Sequence, residues 1–173
     1  MTLTNAPIIE SCELLLRGPE KQDVEPIISF LQDEVRAKGF GHIAERGEAW
    51  RWFALNIGHW HIHQYGYFTV ETKSGEIAGI TGIWNPETWP EPEIGWVLFE
   101  GFEGRGLAFQ AASLVRQWAY KQLQFTTLTS NIRPENKRSI QLAKRLGAKF
   151  DRSYRNSNMG ETHLYRHPNP ENL

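Results

Sequence analysis

Cysteine is nearly missing from this chain. Cys12 is the only one, which excludes an intramolecular disulfide and any cysteine-rich metal site. A reducing compartment is the expected setting, and Cys12, distant in sequence from every candidate loop, reads as structural. Long apolar runs are missing too, since no stretch approaches the ~20 residues needed to cross a bilayer. The segment Met1 to Glu10 lacks a basic stretch followed by an apolar core, so no signal peptide is read there. A soluble, cytoplasmic protein is expected. Surplus charge is also lacking: 19 Lys and Arg against 20 Asp and Glu leave a net charge of −1. That balance supplies no global field to draw in nucleic acid or a membrane. No repeat, low-complexity tract or linker interrupts the 173 residues. The length suits one domain, residues 1–173 with a core over about 12–167, large enough for a substantial apolar interior.

What is present concentrates in the middle of the chain. Glu93-Ile94-Gly95-Trp96-Val97-Leu98-Phe99 alternates and carries branched and aromatic residues, so it predicts a strand. Glu103-Gly104-Arg105-Gly106-Leu107-Ala108 follows and opens into a helical pattern, with Ala108, Ala111, Ala112, Val115 and Ala119 on one face. A strand feeding a glycine-rich loop at a helix N-terminus is suited to hold a pyrophosphate. Glycine admits close approach, unpaired N–H groups point outward, and the helix dipole favours negative charge. Two standard nucleotide patterns fail here. No Lys-Ser/Thr pair follows Gly106, as a P-loop requires, and Phe109 stands where a dinucleotide fingerprint needs a small residue. An ordinary glycine turn capping a core helix also fits this segment taken alone.

Around that centre the pattern predicts strands over Cys12–Arg17, Tyr65–Glu71, Glu76–Trp84, Leu128–Asn131, Lys149–Arg155 and Glu161–Arg166. Lys73-Ser74-Gly75 reads as a hairpin turn. A first helix is expected over Asp23–Glu34, broken by Gly39-Phe40-Gly41. A second is expected over Glu48–His61, with Trp50, Phe53, Ile57 and Trp60 along its inner face. Pro86, Pro90 and Pro92 make the connection before Glu93 a rigid loop.

The order of parts resembles the GNAT N-acetyltransferase superfamily, and within it the RimJ/RimL-like branch. The family loop Gln/Arg-x-x-Gly-x-Gly/Ala is met by Glu103 to Ala108, with Glu103 in the Gln/Arg position. Its second segment, a strand, then Asn-x-x-Ser opening a helix that ends in Leu-Gly-Ala, is met by Leu128–Asn131, Asn136-Lys137-Arg138-Ser139 and Leu146-Gly147-Ala148. The likeness spans roughly Leu14 to Tyr165. It implies an α/β fold with a mixed, mostly antiparallel central sheet, helices on both faces, and strands splayed apart at the coenzyme site. It also implies acetyl-CoA as cosubstrate, no metal, and an amine acceptor, in a monomer or homodimer.

By position in that family, the main chain of Trp96, Val97 and Leu98 would meet the acetyl and pantetheine portions. The amides of Gly104, Arg105, Gly106, Leu107 and Ala108 would hold the pyrophosphate, with Arg105 adding a charged contact or standing in solvent. Asn131 would orient the acetyl carbonyl or an acceptor. Asn136 would touch the pantetheine, and Ser139 would serve the coenzyme sulfur as proton donor. Asn136 also reads as a plain N-cap with Ser139 three positions on. Arg133, Lys137, Arg138, Lys144 and Arg145 could meet a 3′-phosphate or be surface charges. The resemblance is incomplete at two points. Many family members carry a catalytic Glu where this chain has Asn131, and a Tyr acid where it has Ala143.

The proton acceptor is therefore expected elsewhere. Glu93 is the first candidate, as base or through a relaying water, against the alternative of an exposed residue at a loop end. His59, His61 and His63 border the expected acceptor cleft. His59 and His63 have i,i+4 spacing, but no zincin pattern or third ligand accompanies them. Trp84 and Trp89 lie where a lid is conceivable. The function expected is acetyl transfer from acetyl-CoA to a primary amine (a protein N-terminus or a small molecule) by direct attack in a ternary complex. A non-catalytic acyl-CoA-binding domain of the same fold is the competing class.

Overall fold

The computed structural model describes all residues from Met1 to Leu173. Its strands are β1 (Ile9–Glu10), β2 (Leu14–Arg17), β3 (Tyr67–Thr72), β4 (Ile77–Trp84), β5 (Glu93–Leu98), β6 (Thr129–Ile132), β7 (Lys149–Asn156) and β8 (Gly160–Arg166). They form one eight-stranded sheet in the order β1-β2-β3-β4-β5-β6-β8-β7. Every neighbouring pair is antiparallel except β5 and β6, which run parallel. The helices are α1 (Val24–Gln32), α2 (Arg46–His63), α3 (Leu107–Gln122) and α4 (Lys137–Arg145).

Alternation along the strands divides the core into two layers. Ile94 of β5 packs with Phe68, Val70 and Ile83 against Ala111, Ala112, Val115 and Ala119 of α3. Val97 and Phe99 face the other way, with Tyr67, Ile80 and Trp84, against Ile27, Ile28, Leu31, Ala49 and Phe53 of α1 and α2. Helices thus cover both faces, as expected for this fold. The start of α1 is fixed by buried Arg17, whose guanidinium grips both oxygens of Asp23 at 2.9 and 3.0 Å, while the Thr69 hydroxyl donates to Asp23 at 2.7 Å.

Several expectations shift in detail. The strand expected over Cys12–Arg17 is β2 and begins at Leu14, leaving Cys12 outside it and exposed, and the short β1 before it was not anticipated. Trp50 stands on the outer face of α2, 54% exposed. Phe53 and Trp60 are buried and Ile57 packs inward as expected, while Ala49 and the polar Asn56 and His59 complete the inner face. Asn56 accepts from Tyr67 N at 2.8 Å and donates to Tyr67 O at 3.1 Å, and His59 lies beside it in the interior. A hydrophobic count alone misses the polar members of an inner face.

Candidate active site

The seam between β5 and β6 is where the sheet opens. Only one residue pair, Glu93 with Thr129, holds the two strands in register. Just beyond it, side chains replace the ladder. The Ser130 hydroxyl donates to Ile94 O at 2.7 Å, and the Asn131 N–H donates to the Glu93 carboxylate at 2.9 Å. The strands then part. Phe99 N bonds to Ala78 O and the Thr81 hydroxyl to Gly95 O, so odd-numbered positions of β5 direct their main chain toward β4. By alternation, the N–H and C=O groups of Trp96 and Leu98 face the opening, and those of Val97 do not.

The far side of the seam is pinned by a buried chain. Arg116 donates to His167 Nδ1 at 3.1 Å and to Leu146 O at 2.5 Å, and His167 Nε2 meets the Ser130 hydroxyl at 2.8 Å. An arginine donor fixes Nδ1 as acceptor. The proton then sits on Nε2, and the Ser130 hydrogen is left for Ile94 O. Burial, reinforced by Arg116, pushes the His167 pKa down to about 3.

Glu93 lies at the mouth of the seam on the α1/α2 side and is 7% exposed. It is not the exposed loop-end residue of the alternative reading. Its carboxylate accepts from Trp89 Nε1 at 2.7 Å and from Asn131 N and Nδ2, each at 2.9 Å. Burial raises its pKa to about 6, against the lowering effect of those three donors. Asn131 in turn accepts from the Tyr154 hydroxyl at 2.6 Å. The same surroundings push Tyr67 well above the usual phenol range, by burial first and by the Glu93 charge second.

The glycine loop sits at the C-terminal end of β5. Gly104 and Gly106 both adopt φ of +76°, and no atom lies within 4 Å of where a Cβ would project from either. That left-handed backbone leaves open space over the exposed main chain before α3. The Gly106 carbonyl receives Gln110 N at 3.2 Å, while the N–H groups of Leu107, Ala108 and Phe109 belong to the helix turn that has no internal acceptors. The fit to a diphosphate is good. Arg105 bends over the Phe102 ring at 5.8 Å and is exposed.

Across the opening, Asn136 caps α4 by accepting from Ser139 N at 3.2 Å. The Ser139 hydroxyl accepts from the Trp96 indole at 3.3 Å. Of the basic cluster, Lys137, Arg138, Lys144 and Arg145 are exposed, with Arg145 lying 4.9 Å over the Phe109 ring. Ala143 is fully buried among Ile132, Ala148 and Tyr165.

The structure therefore joins Glu93 to Asn131 and Trp96 to Ser139 across the seam, with Asn136 beside Ser139, and sets Leu98 and the loop Gly104 to Ala108 at the C-terminal end of β5. His59 stands apart. It lies stacked on Trp84 at 4.3 Å, bonds Tyr65 O at 2.7 Å and accepts from Asn85 N at 3.0 Å. Burial lowers its pKa to about 4. That packing removes His59 from contact with an acceptor, and it places Trp84 in the core rather than in a lid. Among His, Cys, Asp and Glu, no group of three or more is placed to hold a metal ion. No helix is long and apolar enough to cross a membrane. The sequence reading missed Tyr154 and the Trp89 bond to Glu93. Tyr154 lies on a strand with no local signal of its partner, whereas Trp89, four residues before Glu93, was within sight.

Comparison with known proteins agrees with this geometry. An acetyltransferase crystal structure from Agrobacterium tumefaciens is 31% identical, covering 94% of this chain and 95% of that one at a TM-score of 0.87. A Salmonella typhimurium acetyltransferase that modifies the N-terminal serine of ribosomal protein L7/L12 shares the fold at 17% identity, with 94% and 99% coverage and a TM-score of 0.78. A spermidine N-acetyltransferase from Vibrio cholerae, solved with CoA and spermine, does so at 14% identity, with 94% and 98% coverage and a TM-score of 0.76. The family model for the GNAT acetyltransferase domain matches residues 13–149. Split sheet, glycine loop and sequence match together make this chain a member of the GNAT acetyltransferase family.

Proposed function

We propose that the protein transfers an acetyl group from acetyl-CoA to a primary amine, in one step within a ternary complex, as a single catalytic domain. The observation that carries this reading is the opened seam, with the buried Glu93 carboxylate at its mouth, the glycine loop after β5 on one bank and Ser139 of α4 on the other. Acetyl-CoA supplies the thioester, an acyl donor activated enough for direct attack. Gly104 to Ala108 hold its pyrophosphate through main-chain N–H groups and the α3 dipole. Main-chain groups of Trp96 and Leu98, which face the opening, bind the pantetheine and the acetyl oxygen.

An alkyl amine arrives as an ammonium and must shed a proton before it can attack. Glu93, with its pKa raised to about 6, is ionised at neutral pH and receives that proton directly or through a water. Asn131 and Trp89 hold the carboxylate in place. Ser139 protonates or positions the departing sulfur, and Asn136 orders the turn that carries Ser139. The family Glu at position 131 and Tyr at position 143 are absent, so Glu93 takes the base role and Ser139 the acid role.

Primary amines as a class are supported by relatives that act on a protein N-terminus and on spermidine. The test is a screen of amines (N-terminal peptides, amino acids, polyamines and aminoglycosides) that follows release of the CoA thiol. Acetyl-CoA-dependent thiol release with at least one amine supports transfer. Coenzyme binding without turnover across the panel makes the chain a non-catalytic acyl-CoA-binding domain.

A further inference from the structure

Three observations converge on the loop between α1 and α2. The first is a departure in the glycine loop. Position 103, Gln or Arg in the family pattern, is a carboxylate here, adjoining the open main chain at Gly104 and Gly106. A carboxylate offers no donor to an anion and repels a diphosphate at close range. The second is that Glu103 is not alone. Arg36, from the α1–α2 loop, forms an ion pair with it through Nη2, and the same nitrogen lies 3.4 Å from Leu98 O. Leu98 O is one of the main-chain groups that face the opened seam. The third is on the opposite bank, where Gly39 lies so close to Asn136 that a Cβ at position 39 would overlap the Asn136 amide.

The segment from Asp33 to Ile43 therefore spans the cleft, touching the glycine loop through Arg36 and the second coenzyme motif through Gly39. It is an ordered span. Asp33 Oδ1 accepts from Val35 N and Arg36 N, each at 3.0 Å, and Ile43 N returns to Leu31 O at 2.8 Å. Both bonds that the Arg36 guanidinium makes to the protein leave from Nη2. The guanidinium thus keeps Nε and Nη1 free, in a side chain only 24% exposed. A guanidinium with two free donor positions, held at the edge of an anion cradle by a carboxylate, is arranged to bridge that carboxylate to a second anion.

We infer that Arg36 is a coenzyme-binding residue. It supplies from outside the glycine loop the cation lacking at position 103, bridges Glu103 to the pyrophosphate, and straps the Asp33–Ile43 segment over bound coenzyme. The inference rests on the acetyl-CoA reading above. Asp33, Glu34 and Lys38 are the other charges on the strap, and only Arg36 is joined to the glycine loop.

CoA titrated into the wild-type protein by calorimetry, and into Arg36→Met, Glu103→Gln and the double variant, tests it. Arg36→Met raises Kd about tenfold, the scale of one charge-assisted hydrogen bond, and speeds dissociation. Glu103→Gln does not weaken binding, because it removes the repelling charge and leaves Arg36 to the coenzyme. In the double variant the loss caused by Arg36→Met persists. If Arg36 merely braces Glu103, both single variants weaken binding alike and the double variant adds nothing, which overturns the inference while leaving the coenzyme reading intact. Failure of the wild-type protein to bind CoA overturns both. Limited trypsin cleavage at Lys38 gives a readout without catalysis. CoA slows it in the wild-type protein and much less in Arg36→Met; equal protection in both counts against the strap.

Discussion

At the residue scale, Glu93 is the group whose role can be separated by pH. An ionised carboxylate is needed to take the ammonium proton, so wild-type kcat/KM should fall as pH drops below about 6, where Glu93 becomes protonated. Glu93→Gln keeps the size and most of the packing but loses the basicity. Near pH 7 it should lower kcat/KM about 10²-fold, lose the acidic limb, and recover in part at high pH, where the free amine needs no base. A pH-rate series on a confirmed acceptor checks this, and a uniform loss across pH would make Glu93 a positioning group. Ser139 and Asn136 separate in another way. Ser139→Ala should lower kcat by up to about 10²-fold while leaving CoA affinity and Tm nearly unchanged. Asn136→Ala removes the cap on Ser139 N and should lower stability by about 1 kcal/mol, with weaker CoA binding besides. Normal turnover by Ser139→Ala would leave its hydroxyl no task beyond accepting from the Trp96 indole.

At the element scale, the turn from β5 into α3 is set by backbone conformation. Gly106, the N-cap of α3, needs φ of +76°, which a β-branched residue adopts only under strain. Gly106→Val should therefore strain the turn and place a side chain in the open space over the loop main chain. Bound acetyl-CoA at 100 times its Kd should stabilise the wild-type protein by about 2.7 kcal/mol, read as a rise in Tm. In Gly106→Val that rise should vanish, and a retained shift would show that the coenzyme does not use this loop. Element boundaries were legible to within a few residues because punctuation marks them. Lys73-Ser74-Gly75, the proline-rich stretch before Glu93 and Asn136 each sit at an end. The inner face of α2 was legible in Phe53, Ile57 and Trp60 but not in its polar members. Asn56 and His59 are buried by bonds to Tyr67, Tyr65 and Asn85, partners supplied by β3, its approach and the end of β4.

At the scale of the whole molecule, folding is linked to pH through the groups that it buries. His59 and His167 are held neutral, with pKa values lowered by burial to about 4 and about 3. The unfolded chain takes up protons at both below about pH 6.5, so their stabilisation is full above that value and is lost as pH falls. Glu93 acts with the opposite sign. Its raised pKa favours the protonated folded state, and that contribution is lost as pH climbs through about 6. Two histidines with larger shifts outweigh one glutamate, so Tm should decline between pH 7 and pH 5. Glu93→Gln should steepen that decline by removing the counteracting group. Melting curves at a series of pH values check both, and a flat wild-type profile would contradict the buried, neutral histidines.

The order of the elements from β2 onward, the glycine loop, the cap at Asn136 and the family were all determined by the sequence, because each is a local pattern in which neighbouring residues carry the whole signal. Two motifs at the right separation pointed to the family without reference to any contact. Tertiary structure alone decided the rest. Glu93 becomes a buried carboxylate only when Trp89 folds back on it and β6 brings Asn131 alongside, with Tyr154 behind. The opening beside it depends on Ser130, His167 and Arg116, residues far apart in the chain. Arg36 faces Glu103 because the loop after α1 crosses to the end of β5. Burial and charge pairing are sums over neighbours distant in sequence, so no local pattern contains them.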